Sequence, residues 1–219
     1  MQTIDYLNNE VKALTLQHTI ADAKNLFAEL IFTHIPIVEN GIFYGLIAES
    51  DLFGYEYLDK KIEEIRYGLQ VFFVSDDIVW LDLLKIFSLN EANIIPVLNS
   101  KNEYLGYFEL ADMLHYFSNT PFLQKLGNIL IISKNEVDFS ISEVAQIVES
   151  NDAKLYGVLV SGNDRDRVIV TVKLFSDNIN DVIHTFRRYD YHIILGVNED
   201  EYLNDLKQRS DYLHKYLNI

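Results

Sequence analysis

The chain has 219 residues, of which 49% are hydrophobic, so it can bury packed cores and is not a disordered chain. Its formal net charge of -15 repels phosphate backbones and anionic membrane surfaces, which argues against nucleic acid as a partner. The chain has no cysteine, which excludes disulfides, thiol nucleophiles and cysteine-bound zinc, and which suits a reducing compartment.

Targeting signals are not visible in the sequence. The first eleven residues carry Asp5 and Glu10 and no basic stretch, so they do not resemble a signal peptide. No apolar run approaches the ~18 residues that cross a bilayer. We therefore expect a cytoplasmic protein with no membrane contact.

The first sixty residues predict a helix, two strands and a second helix. Thr19 followed by Asp22 is a capping-box pattern, which marks the start of the first helix. Pro36 ends any helix and lies in an apolar run typical of a strand, and a short turn ending at Gly41 makes the next strand antiparallel to it. The elements predicted after the first helix are strands 34–38 and 42–47, a helix beginning at Ser50 and Asp51, and a helical connector over 54–66.

The same pattern returns about sixty residues later. Self-similarity at a fixed period indicates one structural unit used twice, and we expect the two units to leave a pseudo-symmetric ligand groove between them. The matching residues are Ile20, Ala23, Phe27, Ile35, Pro36, Ile37 and Val38 with Trp80, Leu83, Phe87, Ile95, Pro96, Val97 and Leu98, and then Gly45, Asp51 and Leu52 with Gly106, Asp112 and Met113. The second copy predicts strands 71–74, 94–98 and 104–108, helices beginning at Trp80 and Asp112, and a stop at Pro121.

The pattern changes after Gly127 to strand, helix, strand, strand, helix, strand. Ser140 followed by Glu143 is a second capping-box pattern, and alternation over 167–174 is typical of a half-buried strand. The order βαββαβ indicates a ferredoxin-like fold. The predicted divisions are 1–60 and 61–122 for the repeats, 127–198 for the ferredoxin-like domain, and 199–219 for a charged helix that packs on the body or on another subunit.

The two repeats resemble the CBS (cystathionine-β-synthase-type) domain. The pattern is a strand with Pro36, a turn, a strand with Gly45 and an acidic residue, Asp51, at the next helix start, and it occurs twice within roughly residues 1–120. The βαββαβ segment resembles an ACT domain by its architecture. A CBS pair followed by an ACT-like tail is similar to bacterial acetoin-utilisation-type proteins. The resemblance implies an α/β (α+β) fold with one pseudo-symmetric CBS module, an ACT-like domain and a terminal helix.

The resemblance also implies a ligand site. CBS pairs commonly bind adenosine nucleotides between their two units, and a carboxylate suits the ribose hydroxyls because it accepts and does not donate. Asp51 and Asp112 are therefore the ribose candidates, and Ile35 and Ile95 are the candidates that line the base. His34 precedes the strand and either faces the groove or is a core histidine.

Two positions depart from the family pattern. A Thr or Ser three residues before the Asp typically contacts phosphate, and these positions are occupied by Ala48 and Glu109. Ala48 has no hydroxyl, and Glu109 would repel a phosphate. This departure favours a nucleoside, a positively charged adenosyl compound or no ligand at all over a nucleotide. Asp51 and Asp112 are equally explained as caps of helix N-termini.

Enzyme signatures are absent: the sequence has no glycine-rich phosphate loop, no G-x-S-x-G, no HExxH and no histidine pair at metal spacing. We therefore expect no catalytic residues, no metal and no enzymatic activity. The leading hypothesis is a homodimeric regulatory protein that binds a small adenosine-containing ligand such as AMP, ATP or S-adenosylmethionine. The alternative is a ligand-independent scaffold that docks a protein partner. The ACT-like loop 134–140 has an Asp but no Gly, so an amino-acid site and a dimerisation module both stay open.

Overall fold

The computed structural model describes residues 3–54 and 57–195, which divide into two compact units with the boundary between Ser118 and Asn119. The first unit contains both repeats, and the second contains the βαββαβ segment. The predicted α/β class is confirmed. The predicted helix over 199–219 lies outside the described residues.

The first repeat has one helix and a two-stranded antiparallel sheet. Helix α1 is Ile20–Glu29, and strands β1 and β2 are His34–Glu39 and Ile42–Ala48. The predicted capping box is confirmed, since the Asp22 N–H donates to Thr19 Oγ1 at 3.1 Å and the Thr19 N–H donates to Asp22 Oδ2 at 2.7 Å. The core of this repeat is formed by Leu14, Leu16, Ile20, Ala23, Phe27, Ile35, Ile37, Ile47, Leu52 and Ile62.

The second repeat has the same helix and hairpin, with a short strand added before them and an α-helix after them. Its elements are β3 (Val74–Ser75), α2 (Trp80–Leu89), β4 (Ile94–Leu98), β5 (Tyr104–Glu109) and α3 (Leu110–Ser118). Strand β3 pairs with β4 in parallel at Val74 and Val97, and in the first repeat Leu14 pairs with Ile37 in the same way. The hairpin register breaks between Val97 and Leu98, just as it breaks between Ile37 and Val38. The repeat seen in the sequence is therefore a repeat of backbone structure.

The connector between the repeats differs from the prediction. Only 3₁₀ turns occur here, at Ser50–Leu52 and Ile62–Gly68, and the helix expected over 54–66 is wrong for the described residues. Its backbone instead bonds to the chain before α1: the Ile20 N–H donates to the Lys60 oxygen and the Ile62 N–H to the His18 oxygen, both at 2.9 Å. Ile62 is fully buried in the first core, so tertiary packing outweighs the helical pattern.

Two smaller expectations also change in the first unit and just after it. Helix α3 begins at Leu110, so Asp112 lies in its first turn rather than opening the helix. The stop expected at Pro121 is a start, because α3 ends at Ser118 and Pro121 opens the short helix α4, Pro121–Gln124. Proline suits the first turn of a helix because its missing N–H has no partner to lose there.

The second unit has the predicted βαββαβ order. The elements are β6 (Asn128–Asn135), α5 (Ile141–Glu149), β7 (Lys154–Asp164), β8 (Arg167–Phe175), α6 (Ile179–Arg188) and β9 (His192–Leu195). The antiparallel sheet has the order β7-β8-β6-β9, which is the ferredoxin-like arrangement. The alternation in β8 is confirmed, since Val168, Val170, Val172 and Leu174 are buried.

The second predicted capping box is wrong. Ser140 is the N-cap of α5 but makes no side-chain capping bond. Glu143 is instead bonded to Lys134 of β6, with 2.5 Å between Oε2 and Nζ. A partly buried ammonium group competes for the carboxylate more strongly than a backbone N–H does.

Candidate functional site

The first part of each repeat pairs with a strand of the other repeat. Asn8, near the start of the first repeat, exchanges two backbone hydrogen bonds of 2.9 Å with Tyr107 in β5 of the second. Gln70, near the start of the second repeat, exchanges bonds of 2.7 and 2.9 Å with Leu46 in β2 of the first. Leu46 and Tyr107 are 61 positions apart, which is the offset of the sequence repeat. The two crossings are therefore equivalent, and each delivers a carboxamide side chain to the opposite repeat.

Two repeated glycines make these crossings possible. Gly45 and Gly106 have φ angles of 147° and 154°. A Cβ on Gly45 would lie 2.9 Å from the Gln70 oxygen, and one on Gly106 would overlap the Asn8 oxygen. Glycine is required where a backbone approaches this closely at positive φ.

The first candidate site, which we call the Gln70 cleft, lies between the repeats. Its volume is about 540 Å³, within the range of small-molecule sites. The first repeat contributes the residues around the start of β1 and the end of β2, and the second repeat contributes the end of α2. The cleft is lined by Thr33, His34, Ala48, Glu49, Ser50, Phe53, Gln70, Leu89, Asn90 and Glu91.

Gln70 joins two of the predicted site residues. Its Nε2 donates to Asp51 Oδ2 at 3.1 Å, and its Oε1 lies 3.3 Å from His34 Nε2. On the other side of the ring, His34 Nδ1 lies 2.8 Å from the Thr33 hydroxyl oxygen. His34 is 5% exposed, and this burial lowers its pKa although Gln70 and Asp51 oppose the change. His34 is therefore a neutral, hydrogen-bonded member of the cleft wall at neutral pH.

The Gln70 cleft carries no lysine or arginine among its lining residues. Its ionisable side chains other than His34 are the carboxylates of Glu49 and Glu91, and Asp51 lies beside Gln70. Ala48 is a lining residue and supplies no hydroxyl. This charge pattern disfavours phosphate and favours a neutral or positively charged compound.

The second candidate site, the Asn8 cleft, is the equivalent place in the other repeat. Its volume is about 460 Å³, and it is lined by Asp5, Tyr6, Leu7, Asn8, Asn9, Glu10 and Asp112. Asn8 Nδ2 donates to Glu109 Oε1 at 2.9 Å. Burial raises the pKa of Glu109, and the nearby Asp112 and Glu10 raise it further against the bond from Asn8. This cleft is more acidic than the Gln70 cleft.

The predicted site residues occupy different places. His34 and Ala48 line the Gln70 cleft, Asp51 adjoins it through Gln70, Asp112 lines the Asn8 cleft, and Glu109 adjoins it through Asn8. Ile35 and Ile95 are fully buried in the cores of their repeats and line neither cleft.

Gln70 and Asn8 were missed by the sequence reasoning. The sequence offers only a weak signal for them, which is a carboxamide residue near the start of each repeat. Their positions depend on pairing with strands far away in the chain, at Leu46 and Tyr107.

Two further features, a membrane-spanning helix and a metal site, are not found in the described residues. No helix in the described ranges is long and apolar enough to cross a bilayer. Over the same ranges, histidine and carboxylate side chains do not form a group of three that could hold a metal ion.

Comparison with known protein families matches the CBS domain over residues 4–57. Two uncharacterised proteins of Methanocaldococcus jannaschii are related in sequence. MJ1232 is 26% identical over 110 residues, which are 50% of this chain and 37% of the relative. MJ0188 is 22% identical over 144 residues, which are 61% of this chain and 54% of the relative. The matched part thus spans about half, or less, of these curated relatives.

Solved structures with a similar fold include a CBS domain pair/ACT domain protein from Thermotoga maritima, with a TM-score of 0.48 and 17% identity over 53% of this chain and 96% of that chain. A putative acetoin utilization protein from Vibrio cholerae has a TM-score of 0.45 and 20% identity over 54% of this chain and 91% of that chain. CBSX2, solved in complex with AMP, has a TM-score of 0.45 and 14% identity over 53% of this chain and 95% of that chain.

Proposed function

We propose that the chain is a non-enzymatic regulatory protein of the cytoplasm that binds an adenosine-containing ligand in the Gln70 cleft. The match of residues 4–57 to the CBS domain supports this proposal. We propose that it acts as a homodimer. The observation that carries the proposal is the arrangement of Asp51, Gln70 and His34 at a cleft of about 540 Å³ between the repeats. A ligand held there touches both repeats, so its binding energy can change their arrangement.

The polar side of the cleft fits a ribose. Asp51 is exposed and accepts one bond from Gln70, which leaves carboxylate lone pairs for the two hydroxyls of a diol. Gln70 offers both an amide donor and a carbonyl acceptor next to it. These groups support Asp51 as the ribose residue of the proposed site.

The apolar side of the cleft fits a base. Phe53 is 81% exposed and Leu89 is 71% exposed, and both line the cleft. An adenine ring that packs between them removes apolar surface from water, at about 25 cal/mol for each Å².

The charge of the cleft selects among adenosine compounds. Glu49 and Glu91 repel phosphate and attract a cation, and the cleft wall has no lysine or arginine to offset them. We therefore propose adenosine or a positively charged adenosyl compound such as S-adenosylmethionine as the ligand, ahead of AMP and ATP. The Asn8 cleft, with Asp5, Glu10 and Asp112 in its wall, is a still poorer phosphate site.

Thermal unfolding with adenosine, S-adenosylmethionine, AMP, ADP, ATP and NAD tests the proposal. A ligand at 100 times its dissociation constant adds about 2.7 kcal/mol and moves the midpoint by several degrees. We expect shifts with the first two compounds, loss of the shift in Asp51→Asn, and a retained shift in Asp112→Asn. No shift with any compound at millimolar concentration would contradict ligand sensing. Analytical ultracentrifugation measures the molar mass of the protein and tests the proposed dimer separately.

A ligand-independent scaffold is the second candidate function. The acidic Asn8 cleft supports it, because Glu109 is already hydrogen-bonded to Asn8. The carboxylates that line the cleft also suit a basic protein surface better than a nucleotide. Under this alternative the ligand panel gives no shift, and charge reversal of the exposed Glu10 weakens binding of a partner.

A further inference from the structure

A chain of hydrogen bonds runs from Asp51 in the Gln70 cleft to the contact between the repeats. Its first link fixes the orientation of an amide. The Asp51 carboxylate only accepts, so the group of Gln70 that lies 3.1 Å away must be its NH₂. The carbonyl oxygen of Gln70 therefore faces His34.

The next link fixes the histidine tautomer. Gln70 Oε1 only accepts, so His34 Nε2 at 3.3 Å must carry the proton. Because His34 is buried and neutral, its Nδ1 has no proton. The bare Nδ1 then accepts the hydroxyl proton of Thr33 at 2.8 Å.

The last link crosses between the repeats. The Thr33 hydroxyl oxygen accepts the Asn93 N–H at 3.0 Å and also lies 3.0 Å from Asn93 Oδ1. The single hydroxyl proton serves either His34 or Asn93. While the Thr33 hydroxyl donates to His34, Asn93 Oδ1 accepts only one hydrogen bond from Thr33, that of its N–H at 2.8 Å.

We propose that Gln70 is a positioning residue of the ligand site, and that a ligand diol reverses this hydrogen-bond chain and strengthens the contact between Thr33 and Asn93. This inference rests on the proposed function. When the diol donates to Asp51 and to Gln70 Oε1, the amide turns its NH₂ towards His34. Nε2 becomes the acceptor, Nδ1–H donates to Thr33, and the Thr33 hydroxyl donates to Asn93 Oδ1.

The reversal conserves protons. The proton that leaves Nε2 passes to water and the proton that arrives at Nδ1 comes from water, so the ring stays neutral. The bound state gains one hydrogen bond, from the Thr33 hydroxyl to Asn93 Oδ1, and loses the one from Gln70 to Asp51, which the diol replaces. The ligand favours this state only through its different contacts with the amide.

Nitrogen-15 NMR of the full chain tests the proposal, because the protonated and bare ring nitrogens of a neutral histidine have well-separated shifts. The signal of His34, one of six histidines, is assigned by its loss in a His34→Asn variant. We expect the proton on Nε2 in the free protein and on Nδ1 after saturation with adenosine.

Two truncations serve as a matched pair. Gln70→Ala should abolish the tautomer preference of free His34 and weaken adenosine binding about tenfold, which is within the value of a hydrogen bond to a charged group. Gln146→Ala removes an exposed carboxamide on α5 that lines neither cleft, and it should leave both readouts unchanged. A general structural role for Gln70 would lower stability without changing the tautomer.

The failures are distinguishable. Adenosine binding with the same His34 tautomer in the free and bound protein would overturn the relay and leave the proposed function standing. No binding, seen as no thermal shift and no change in any histidine signal, would overturn both. A free protein with the proton already on Nδ1 would overturn the relay without any ligand.

Discussion

Thr33 and Asn93 occupy the same position in the two repeats, sixty residues apart, and they bond to each other. The Thr33 N–H donates to Asn93 Oδ1 at 2.8 Å, and the Asn93 N–H donates to Thr33 Oγ1 at 3.0 Å. Each residue also uses its backbone oxygen in the same way, to accept the N–H of Glu49 or of Leu110 at 2.9 Å. The approximate two-fold relation between the repeats therefore passes between these two side chains.

Asn93→Ala should destabilise the first unit. The change removes the acceptor of the Thr33 N–H and the donor of a 2.6 Å bond to the Ile31 oxygen. Part-buried groups that lose their partner cost about 1 to 3 kcal/mol, and we expect about 2 kcal/mol from urea unfolding. The exposed Asn25 of α1 provides the control, since Asn25→Ala should be neutral or slightly stabilising in a helix. Equal effects of the two changes would contradict a special role for the Thr33–Asn93 contact.

Gly106→Ala should be far more damaging than Gly41→Ala. Both glycines have positive φ, 154° and 81°, so both variants are strained. Only Gly106 faces a neighbouring backbone, because a Cβ there would overlap the Asn8 oxygen, whereas nothing lies within 4 Å at Gly41. We expect a loss of about 3 kcal/mol or more at Gly106 and about 1 kcal/mol at Gly41 in the free energy of unfolding. Similar losses would indicate that Asn8 moves away without consequence.

Local chemistry explains which parts of the fold were predictable. The capping pair Thr19 and Asp22 lies within one turn of helix, and both of its bonds form. The connector over 54–66 has helical spacing as well, but its backbone bonds to the segment before α1. Glu143 likewise leaves Ser140 for Lys134. These two predictions failed because a distant partner competes with a local one.

The candidate site was predictable to the same degree. The repeat in the sequence pointed to Asp51, His34 and Ala48, which lie at or beside one cleft. It did not point to Gln70, whose side chain enters that cleft because its backbone pairs with Leu46. Pairing between remote segments has no local signature, so the residue that joins His34 to Asp51 became visible only in three dimensions.

Glu109→Gln should stabilise the protein at neutral pH. Burial and the nearby carboxylates raise the pKa of Glu109, so the folded state holds its proton more tightly than the unfolded state does. Stability from this group is therefore present below about pH 4.3 and is lost as the pH rises through the folded pKa. Glutamine keeps an acceptor for Asn8 without the charge, and we expect a gain of less than about 1 kcal/mol at pH 7 that disappears at pH 4.

Urea unfolding of Glu109→Gln and the wild type at both pH values measures this gain. Glu103→Gln, at an exposed position before the same hairpin strand, is the control for removing one negative charge from an acidic protein. If both variants gain equally, the effect comes from net charge and not from the setting of Glu109.

Glu143→Gln should destabilise the second unit at neutral pH, whereas Glu109→Gln should stabilise the protein there. Burial alone would raise the pKa of Glu143, but its hydrogen bond to Lys134 and the Lys134 charge outweigh burial and lower it. A lowered pKa stabilises the folded state above the unfolded value of about 4.3, and this stability is lost as the pH falls through the folded pKa. We expect the variant to lose about 1 to 2 kcal/mol at pH 7 because it leaves the Lys134 ammonium without its counter-charge.

The pH dependence of the free energy of unfolding distinguishes the Lys134–Glu143 pair from an exposed ion pair. Urea unfolding from pH 7 down to pH 3 should show the gap between the wild type and Glu143→Gln narrowing, since protonation of the wild-type carboxylate removes its stabilising charge as the pH falls towards the folded pKa. Glu149→Gln, at an exposed position on the same helix, should differ from the wild type by a few tenths of a kcal/mol at every pH. A constant gap between wild type and Glu143→Gln down to pH 3 would mean that Glu143 stabilises the unit by packing, and that its charge on Lys134 contributes nothing to folding.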